Sequence, residues 1–296
     1  MESINVYILL VISLLAAVAG GMAKTYYTGR IAKNTADYYF SNAIGSLVVA
    51  LVLVIWGGIG LISVFTVVLG IIFGTVSVFQ QITYLKALKT GPMSYTSVII
   101  SLSTIIPTLS GMLFWKEIIT LTQYIGIVLM IVCFLLSIDN GENTKKVSAK
   151  WMLYCVIAFI CTGLIGVMQK YHQSSVHASE LNGFLVIAFA FSFVYSIVAY
   201  FIVKKRENIT TGISGPSISM WIFVLCGITA AVNNKLNLYL SGVMDSAIFF
   251  PLINGLGLVA MMIVAVLVFK EKLSTKRWIG LLIGTIAVVF LCDPFV

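Results

Sequence analysis

Ten long apolar runs constrain the fold of this chain more than any other sequence feature. An α-helix needs about 20 apolar residues to span a bilayer, whereas a transmembrane β-strand needs about ten residues of alternating character. The runs are continuous, and 60% of the chain is hydrophobic while 9% is charged. Soluble domains carry roughly 25% charged residues, so the sequence predicts an all-α, polytopic membrane protein. The runs are Ile4–Ala23, Tyr38–Trp56, Val64–Leu85, Ser94–Trp115, Leu121–Ile138, Trp151–Gln169, Leu181–Val203, Ile218–Leu240, Ala247–Phe269 and Trp278–Leu291.

The connection between the fourth and fifth runs occurs again between the ninth and tenth. Trp115-Lys116-Glu117 matches Phe269-Lys270-Glu271 at an offset of 154 residues, without a gap. Gly126 matches Gly280 at the same offset. Further matches in the same order are Gly20-x-Met22-x-Lys24 with Gly166-x-Met168-x-Lys170, Gln80-Gln81 with Asn233-Asn234, and Gly91-Pro92-Met93 with Gly242-Val243-Met244. A repeated unit of this length predicts two copies of one module.

The two copies are predicted to have opposite orientations in the membrane. Residues 1–138 form the first five-helix repeat, 139–150 a polar linker and 151–296 the second repeat. Because five is an odd number, the second copy enters the bilayer from the other side. Inverted repeats of this kind are typical of secondary transporters, whose substrate site lies at the repeat interface near the midplane.

The distribution of positive charge predicts the orientation of the helices. Of the 18 Lys and Arg residues, 15 follow odd-numbered runs, and the exceptions are Lys116, Lys170 and Lys235. Positive loops stay in the cytoplasm, so both termini are expected outside a cell (plasma) membrane. The net charge of +8 is accounted for by loops that face anionic lipid. No nucleic-acid partner is required.

The chain resembles the EamA-like branch of the drug/metabolite transporter superfamily. The resemblance rests on the five-plus-five repeats, the two Lys-Glu connections, and Tyr84-x-x-Ala87-Leu88 followed by Gly91. It implies alternating-access transport of small solutes through a cavity lined by the first, third, fourth, sixth, eighth and ninth helices. It also implies that the fifth and tenth helices serve in peripheral packing or in a homodimer. Pro107 lies where the family often has a proline in its fourth helix.

Polar residues inside the apolar runs are the candidate substrate contacts, because polar groups are costly in a bilayer. The first set is Asn233, Asn234, Lys235 and Asn237 in the eighth run. Lys235 either faces a cavity or extends its ammonium to the membrane surface; the neighbouring asparagines favour the cavity. The matching set in the third run is Gln80, Gln81 and Tyr84, for which hydrogen bonding between helices is an equal alternative. Asn254 in the ninth run is a further candidate.

Residues near the ends of the runs are predicted to serve as gates or structural contacts. Lys24 and Lys170 end equivalent helices, and Lys170 is a candidate outer gate or steering charge. Glu117 and Glu271 are predicted to pair with a neighbouring lysine or a following helix N-terminus. His172 and His177 suggest a solvated connection rather than a metal site. We expect no metal and no cofactor.

The sequence favours a transporter of a small polar metabolite over the other functions considered. No apolar run has a central Asp or Glu, and Lys235 favours an amino acid or organic anion as the substrate. A lipid or lipid-linked-sugar flippase of the same fold remains an alternative, as does a non-transporting scaffold. An intramembrane enzyme is not expected, because the chain lacks an H-E-x-x-H zinc motif. Aspartate clusters that would hold Mg²⁺ are also missing.

Overall fold

The computed structural model describes residues 2–30, 34–91, 96, 99–136, 148–207, 216–267 and 274–292. Within these residues it contains ten α-helices and no β-strand, so the predicted all-α fold of ten helices is confirmed. The helices are α1 (Glu2–Arg30), α2 (Thr35–Gly57), α3 (Val64–Thr90), α4 (Ile105–Phe114), α5 (Leu121–Leu136), α6 (Ala149–Gln173), α7 (Leu181–Arg206), α8 (Pro216–Val243), α9 (Ser246–Leu267) and α10 (Thr275–Cys292). Side chains at several helix positions lie outside the described part, among them Lys24.

Six of these helices are long and apolar enough to cross a membrane, namely α1, α2, α3, α6, α7 and α10. Shorter apolar helical segments cover Ile99–Phe114, Leu121–Leu136 and Ser246–Ala260. Large apolar side chains such as Leu15, Ile55 and Trp221 are exposed, as expected for helix faces that contact lipid rather than water. The chain is therefore a multi-pass membrane protein.

Local sequence signals explain where α2 begins and ends. The Asn34 side chain accepts a hydrogen bond from the Asp37 N–H, and the Asp37 carboxylate accepts one from the Asn34 N–H. This reciprocal pair satisfies two of the backbone donors that a helix N-terminus leaves free. At the other end, Gly58 has φ of +65° and ψ of −170°, a conformation that is accessible mainly to glycine.

The chain forms two compact units, and each combines helices from both halves of the sequence. The first consists of Met1–Val78 and Tyr171–Leu240, and the second of Phe79–Lys170 and Ser241–Val296. Helices α3, α6 and α8 each contribute residues to both units. The predicted repeat boundaries at 138 and 151 stay a prediction, since residues 137–147 lie outside the described part of the chain.

In the first unit, the second helices of the two predicted repeats pack side by side in opposite directions. Near the end of α2 and the beginning of α7, Asn182 Nδ2 donates to the Leu53 carbonyl at 2.9 Å. Near the other ends of these helices, Asn42 Nδ2 donates to Ser196 Oγ at 2.8 Å. Equivalent helices that run antiparallel are the expected geometry of an inverted repeat.

In the second unit, α5 and α10 make reciprocal contacts through glycines. A Cβ atom on Gly126 would lie 3.1 Å from the Ala287 carbonyl oxygen, and one on Gly280 would lie 3.5 Å from the Cys133 carbonyl oxygen. Gly126 and Gly280 are 154 residues apart, and so are Cys133 and Ala287. Each helix thus presents its glycine to the equivalent position of the other, as two copies related by a two-fold axis would do.

Candidate functional site

The polar stretch of α8 forms a closed ring of hydrogen bonds with one serine of α1. Ser13 Oγ donates to Asn237 Oδ1 at 2.6 Å, and Asn237 Nδ2 donates to Asn233 Oδ1 at 3.3 Å. Asn233 Nδ2 completes the ring by donating to Ser13 Oγ at 3.1 Å and to the Ser13 carbonyl at 3.0 Å. Ser13 is fully buried. The ring joins α1 to α8 with contacts worth about 0.6 kcal/mol each.

The ring also limits what Asn233 and Asn237 can offer to a substrate in this conformation. Their amide groups are already engaged within the protein, and Asn234 Nδ2 donates to the Ala230 carbonyl one turn earlier in α8 at 2.8 Å. All three side chains are half-buried. Asn234 and Asn237 each keep one amide N–H, and the amide oxygens keep lone pairs, that a ligand can use.

Lys235 points its ammonium at an aromatic ring. Its Nζ lies 4.1 Å from the ring centroid of Trp56. Trp56 is the penultimate residue of α2. An ammonium at this distance over an indole face is a favourable cation–π contact. The ion pairs among the described residues are Lys170–Glu117 and His177–Glu180, so Lys235 pairs with no carboxylate there.

The other predicted substrate contacts lie in the second unit. Gln80, Gln81 and Tyr84 are half-buried on α3. Asn254 is exposed and donates from Nδ2 to the Phe250 carbonyl of its own helix at 2.9 Å. A shared site of the two sets stays a prediction.

Glu117 and Lys170 form a buried ion pair in the second unit. Lys170 Nζ lies 2.9 Å from Glu117 Oε1, and the two side chains are 8% and 5% exposed. Lys170 also donates to the Met244 carbonyl at 3.0 Å, and Glu117 Oε2 accepts from the Ala247 N–H at 3.0 Å. The pair therefore joins the end of α4, the end of α6 and the beginning of α9. A steering role for Lys170 stays a prediction.

The backbone after α4 turns Glu117 toward these partners. Lys116 adopts φ of +55°, and the Glu117 N–H donates to the Gly111 carbonyl six residues earlier at 3.3 Å. A residue with positive φ directly after a helix is usually glycine, so Lys116 is an unusual residue at this position. The sharp reversal explains why a side chain that follows α4 can cap α9.

The surroundings of this cluster shift the pKa values of its two carboxyl groups, Glu117 and Asp245, in opposite directions. Burial raises the pKa of Glu117, but hydrogen bonds from the Ser246 and Ala247 N–H groups and from Lys170 outweigh it, so the pKa is lowered. Burial raises the pKa of Asp245, and the neighbouring Glu117 charge adds to this effect, while Lys170 opposes it. Glu117 is therefore held ionised against its ammonium partner.

Of the remaining predicted residues, the structure describes Pro107 but not Glu271 or the side chain of Lys24. Pro107 is buried as the third residue of α4, directly after the 3-10 turn Leu102–Thr104. A proline there donates no hydrogen bond to the Ser103 carbonyl. Glu271 and the Lys24 side chain lie outside the described residues, so their predicted roles stay predictions.

The interpretation of the histidines as a solvated connection is wrong for His172. This side chain is fully buried, and its ring stacks on Phe184 at 4.4 Å between centroids. His172 Nε2 lies 3.4 Å from Thr66 Oγ1. His177 pairs with Glu180 at 2.9 Å, and Glu180 accepts from the Ser63 N–H at 2.9 Å. The described residues contain no cluster of three metal-ligating side chains.

Sequence reasoning missed several residues that the structure places in these networks. Ser13 and Trp56 have no distinguishing signal, because serine and tryptophan are ordinary in membrane helices. Gly70 and Gly74 of α3 do carry one, since their small-xxx-small spacing is typical of close helix contacts. A Cβ atom on Gly70 would lie 3.1 Å from the Phe184 carbonyl oxygen of α7. A close helix contact at this face of α3 was therefore predictable, but α7 as the partner was not.

Comparisons with known proteins agree with the resemblance seen in the sequence. A crystal structure described only as that of a protein matches with a TM-score of 0.72 at 13% identity, covering 96% of this chain and 98% of that one. This likeness concerns the fold alone. No curated protein matches the chain. The model of the EamA-like transporter family matches residues 7–138. The matched residues cover the first five helices, α1 to α5, and are similar to this family.

Proposed function

We propose that the protein is a secondary transporter that moves a small polar metabolite across the cell membrane by alternating access. The observation that carries the proposal is Lys235, a cation on a membrane helix that contacts the face of Trp56 and pairs with no carboxylate of the described residues. A charge inside a membrane protein is costly and usually marks a substrate or ion pathway. We therefore favour a substrate that carries an anionic group, such as an amino acid or an organic anion.

The antiparallel pairs α2–α7 and α5–α10 support the alternating-access mechanism. Two inverted copies of one module can exchange conformations, and the exchange moves the opening of a shared pathway from one side of the membrane to the other. The distribution of lysines and arginines supports a plasma-membrane orientation with both termini outside. Membrane lipid is the surrounding partner, and a homodimer is an assembly that the peripheral pair α5–α10 would permit.

Transport by purified protein in lipid vesicles tests this proposal directly. Vesicles loaded with one unlabelled solute are given the same solute in labelled form outside, and carriers accumulate the label transiently by counterflow. Amino acids, dicarboxylates and organic cations form separate sets. We expect counterflow in an anionic or zwitterionic set. Exchange of labelled lipid between leaflets without solute counterflow would instead favour a flippase and overturn the proposal.

Two variants test the role of Lys235 within that assay. Lys235→Met keeps most of the side-chain volume but removes the charge, and we expect the KM for an anionic solute to rise about tenfold, a loss of about 1.4 kcal/mol. Lys116→Met is the matched control, because Lys116 is exposed after α4 and makes no ion pair among the described residues. Equal KM values for the two variants would rule out Lys235 as the anion contact.

A further inference from the structure

The pocket around the Glu117 carboxylate has more hydrogen-bond donors than that carboxylate uses. Ser246 is fully buried as the first residue of α9, and its Oγ has no hydrogen-bond partner among the described residues. Thr108 on α4 is 5% exposed, and its Oγ1 is also without a partner there. Buried hydroxyl groups are nearly always hydrogen-bonded, so the Ser246 hydroxyl next to the ion pair is an unused hydrogen-bond donor.

Gly111 shows how closely α4 approaches this pocket. A Cβ atom built on Gly111 would lie 2.9 Å from Ser246 Cβ and would overlap the Glu117 carboxylate. Thr108 is one turn before Gly111 on α4, and residues three apart lie on the same face of a helix. The face of α4 that turns to the beginning of α9 therefore carries a free hydroxyl and a gap in the helix surface, which the carboxylate of Glu117 fills.

The groups that surround this carboxylate are those that bind anions in general. They are the Lys170 ammonium, the Ser246 and Ala247 N–H groups at the N-terminus of a 22-residue helix, and the Ser246 hydroxyl. A helix N-terminus attracts negative charge through its free N–H groups and its dipole. Nothing in this set is specific for the carboxylate of Glu117 rather than for another carboxylate of similar size.

We propose that this pocket is an anion-binding site that Glu117 occupies in the present conformation and that a substrate carboxylate takes over during transport. The inference rests on the proposed function, since it names the carboxylate as the substrate group. Replacing one carboxylate by another keeps the buried Lys170 ammonium neutralised, whereas releasing Glu117 alone would leave an uncompensated buried charge. Entry of the substrate therefore frees the end of α4 from α6 and α9.

Chemical rescue of a truncated side chain tests the site without a known substrate. Glu117→Ala removes the resident carboxylate and leaves the Lys170 ammonium unpaired, so the purified variant loses thermal stability. Sodium acetate supplies a small carboxylate of matching shape. We expect acetate to restore much of the lost Tm of Glu117→Ala and to leave the Tm of the unaltered protein unchanged. Sodium chloride at the same ionic strength and ethylammonium chloride should restore nothing.

Two further variants keep the test decisive. In Glu117→Ala/Lys170→Met the ammonium is also absent, and acetate should no longer raise the Tm. If Glu117→Ala does not fold, Glu117→Ser keeps a small polar side chain, leaves the place of the carboxylate open, and is titrated with acetate in the same way. Equal effects of acetate and chloride, or a rescue that survives the loss of Lys170, would overturn the proposed site.

Transport measurements separate this inference from the proposed function. If the unaltered protein shows solute counterflow but acetate has no specific effect on either Glu117 variant, the anion site is wrong and the transporter stands. If acetate rescues Glu117→Ala while no solute shows counterflow, the anion site stands and the transport function is wrong.

Discussion

Helix α3 packs against α7 through Gly74, and this contact gives the most direct test of the fold. A Cβ atom on Gly74 would lie 3.2 Å from the carbonyl carbon of Ala188 and 3.2 Å from Ser192 Oγ, and would overlap the Ala188 carbonyl oxygen. Ser192 Oγ donates to the Gly74 carbonyl at 3.1 Å. The substitution Gly74→Ala therefore adds one methyl group between two helix backbones.

The expected cost of Gly74→Ala follows from this geometry. Ordinary contacts between carbon atoms are about 3.5–4.0 Å, so α3 and α7 must separate by roughly 1 Å. Overpacking of this kind costs about 1–3 kcal/mol. Weakening the Ser192 hydrogen bond adds about 0.6 kcal/mol. Alanine in a helix recovers about 0.5–1 kcal/mol relative to glycine, so we expect a net loss of about 1–3 kcal/mol, which corresponds to roughly 3–8 °C in Tm.

Gly45→Ala in α2 is the matched control for this prediction. No atom lies within 4 Å of a Cβ built on Gly45. In an open helical position, alanine is favoured over glycine by roughly 0.5–1 kcal/mol. The unfolding of both variants in detergent, followed by circular dichroism against temperature, should place them on opposite sides of the unaltered protein. A Gly74→Ala variant as stable as Gly45→Ala would refute the close approach of α3 and α7.

Three further variants probe single features of the structure by the same unfolding measurement. Lys116→Gly should be neutral or stabilising by up to about 1 kcal/mol, because glycine adopts φ of +55° without strain; a marked loss would argue against the left-handed conformation. Asn182→Ala removes bonds to the Leu53 and Gly58 carbonyls and should cost about 1–2 kcal/mol, whereas the exposed Thr285→Val should cost little. Glu117→Gln should remove a pH dependence of stability. Because the pKa of Glu117 is lowered in the folded protein, its ionised form stabilises the fold above the ordinary pKa of 4.5. This contribution is lost as the pH falls through the lowered pKa. The Tm of the unaltered protein and of Glu117→Gln is measured against pH, and two curves that stay parallel below pH 4.5 would contradict this expectation.

The sequence alone determined the number of helices and predicted which positions of the two halves are equivalent. Each continuous apolar run can be counted as one membrane helix, because a bilayer of fixed thickness requires helices of about 20 residues. The constant offset of 154 residues identified Gly126 and Gly280 as equivalent positions. The structure then placed them in reciprocal contacts of α5 with α10. For Glu117 the sequence predicted a neighbouring lysine or the following helix N-terminus as the partner, whereas its partners are Lys170 of α6 and the N-terminus of α9.

Only the tertiary structure decided which helices are neighbours and which polar groups meet. In a soluble protein, the apolar face of a helix identifies its buried side. In a membrane, the lipid-facing and packed faces are both apolar, so the pattern along a helix does not reveal its neighbours. The pairing of Glu117 with Lys170, of Ser13 with Asn237 and of Lys235 with Trp56 joins segments far apart in sequence. The burial of His172 was equally invisible in the chain, because its partners Phe184 and Thr66 lie on other helices.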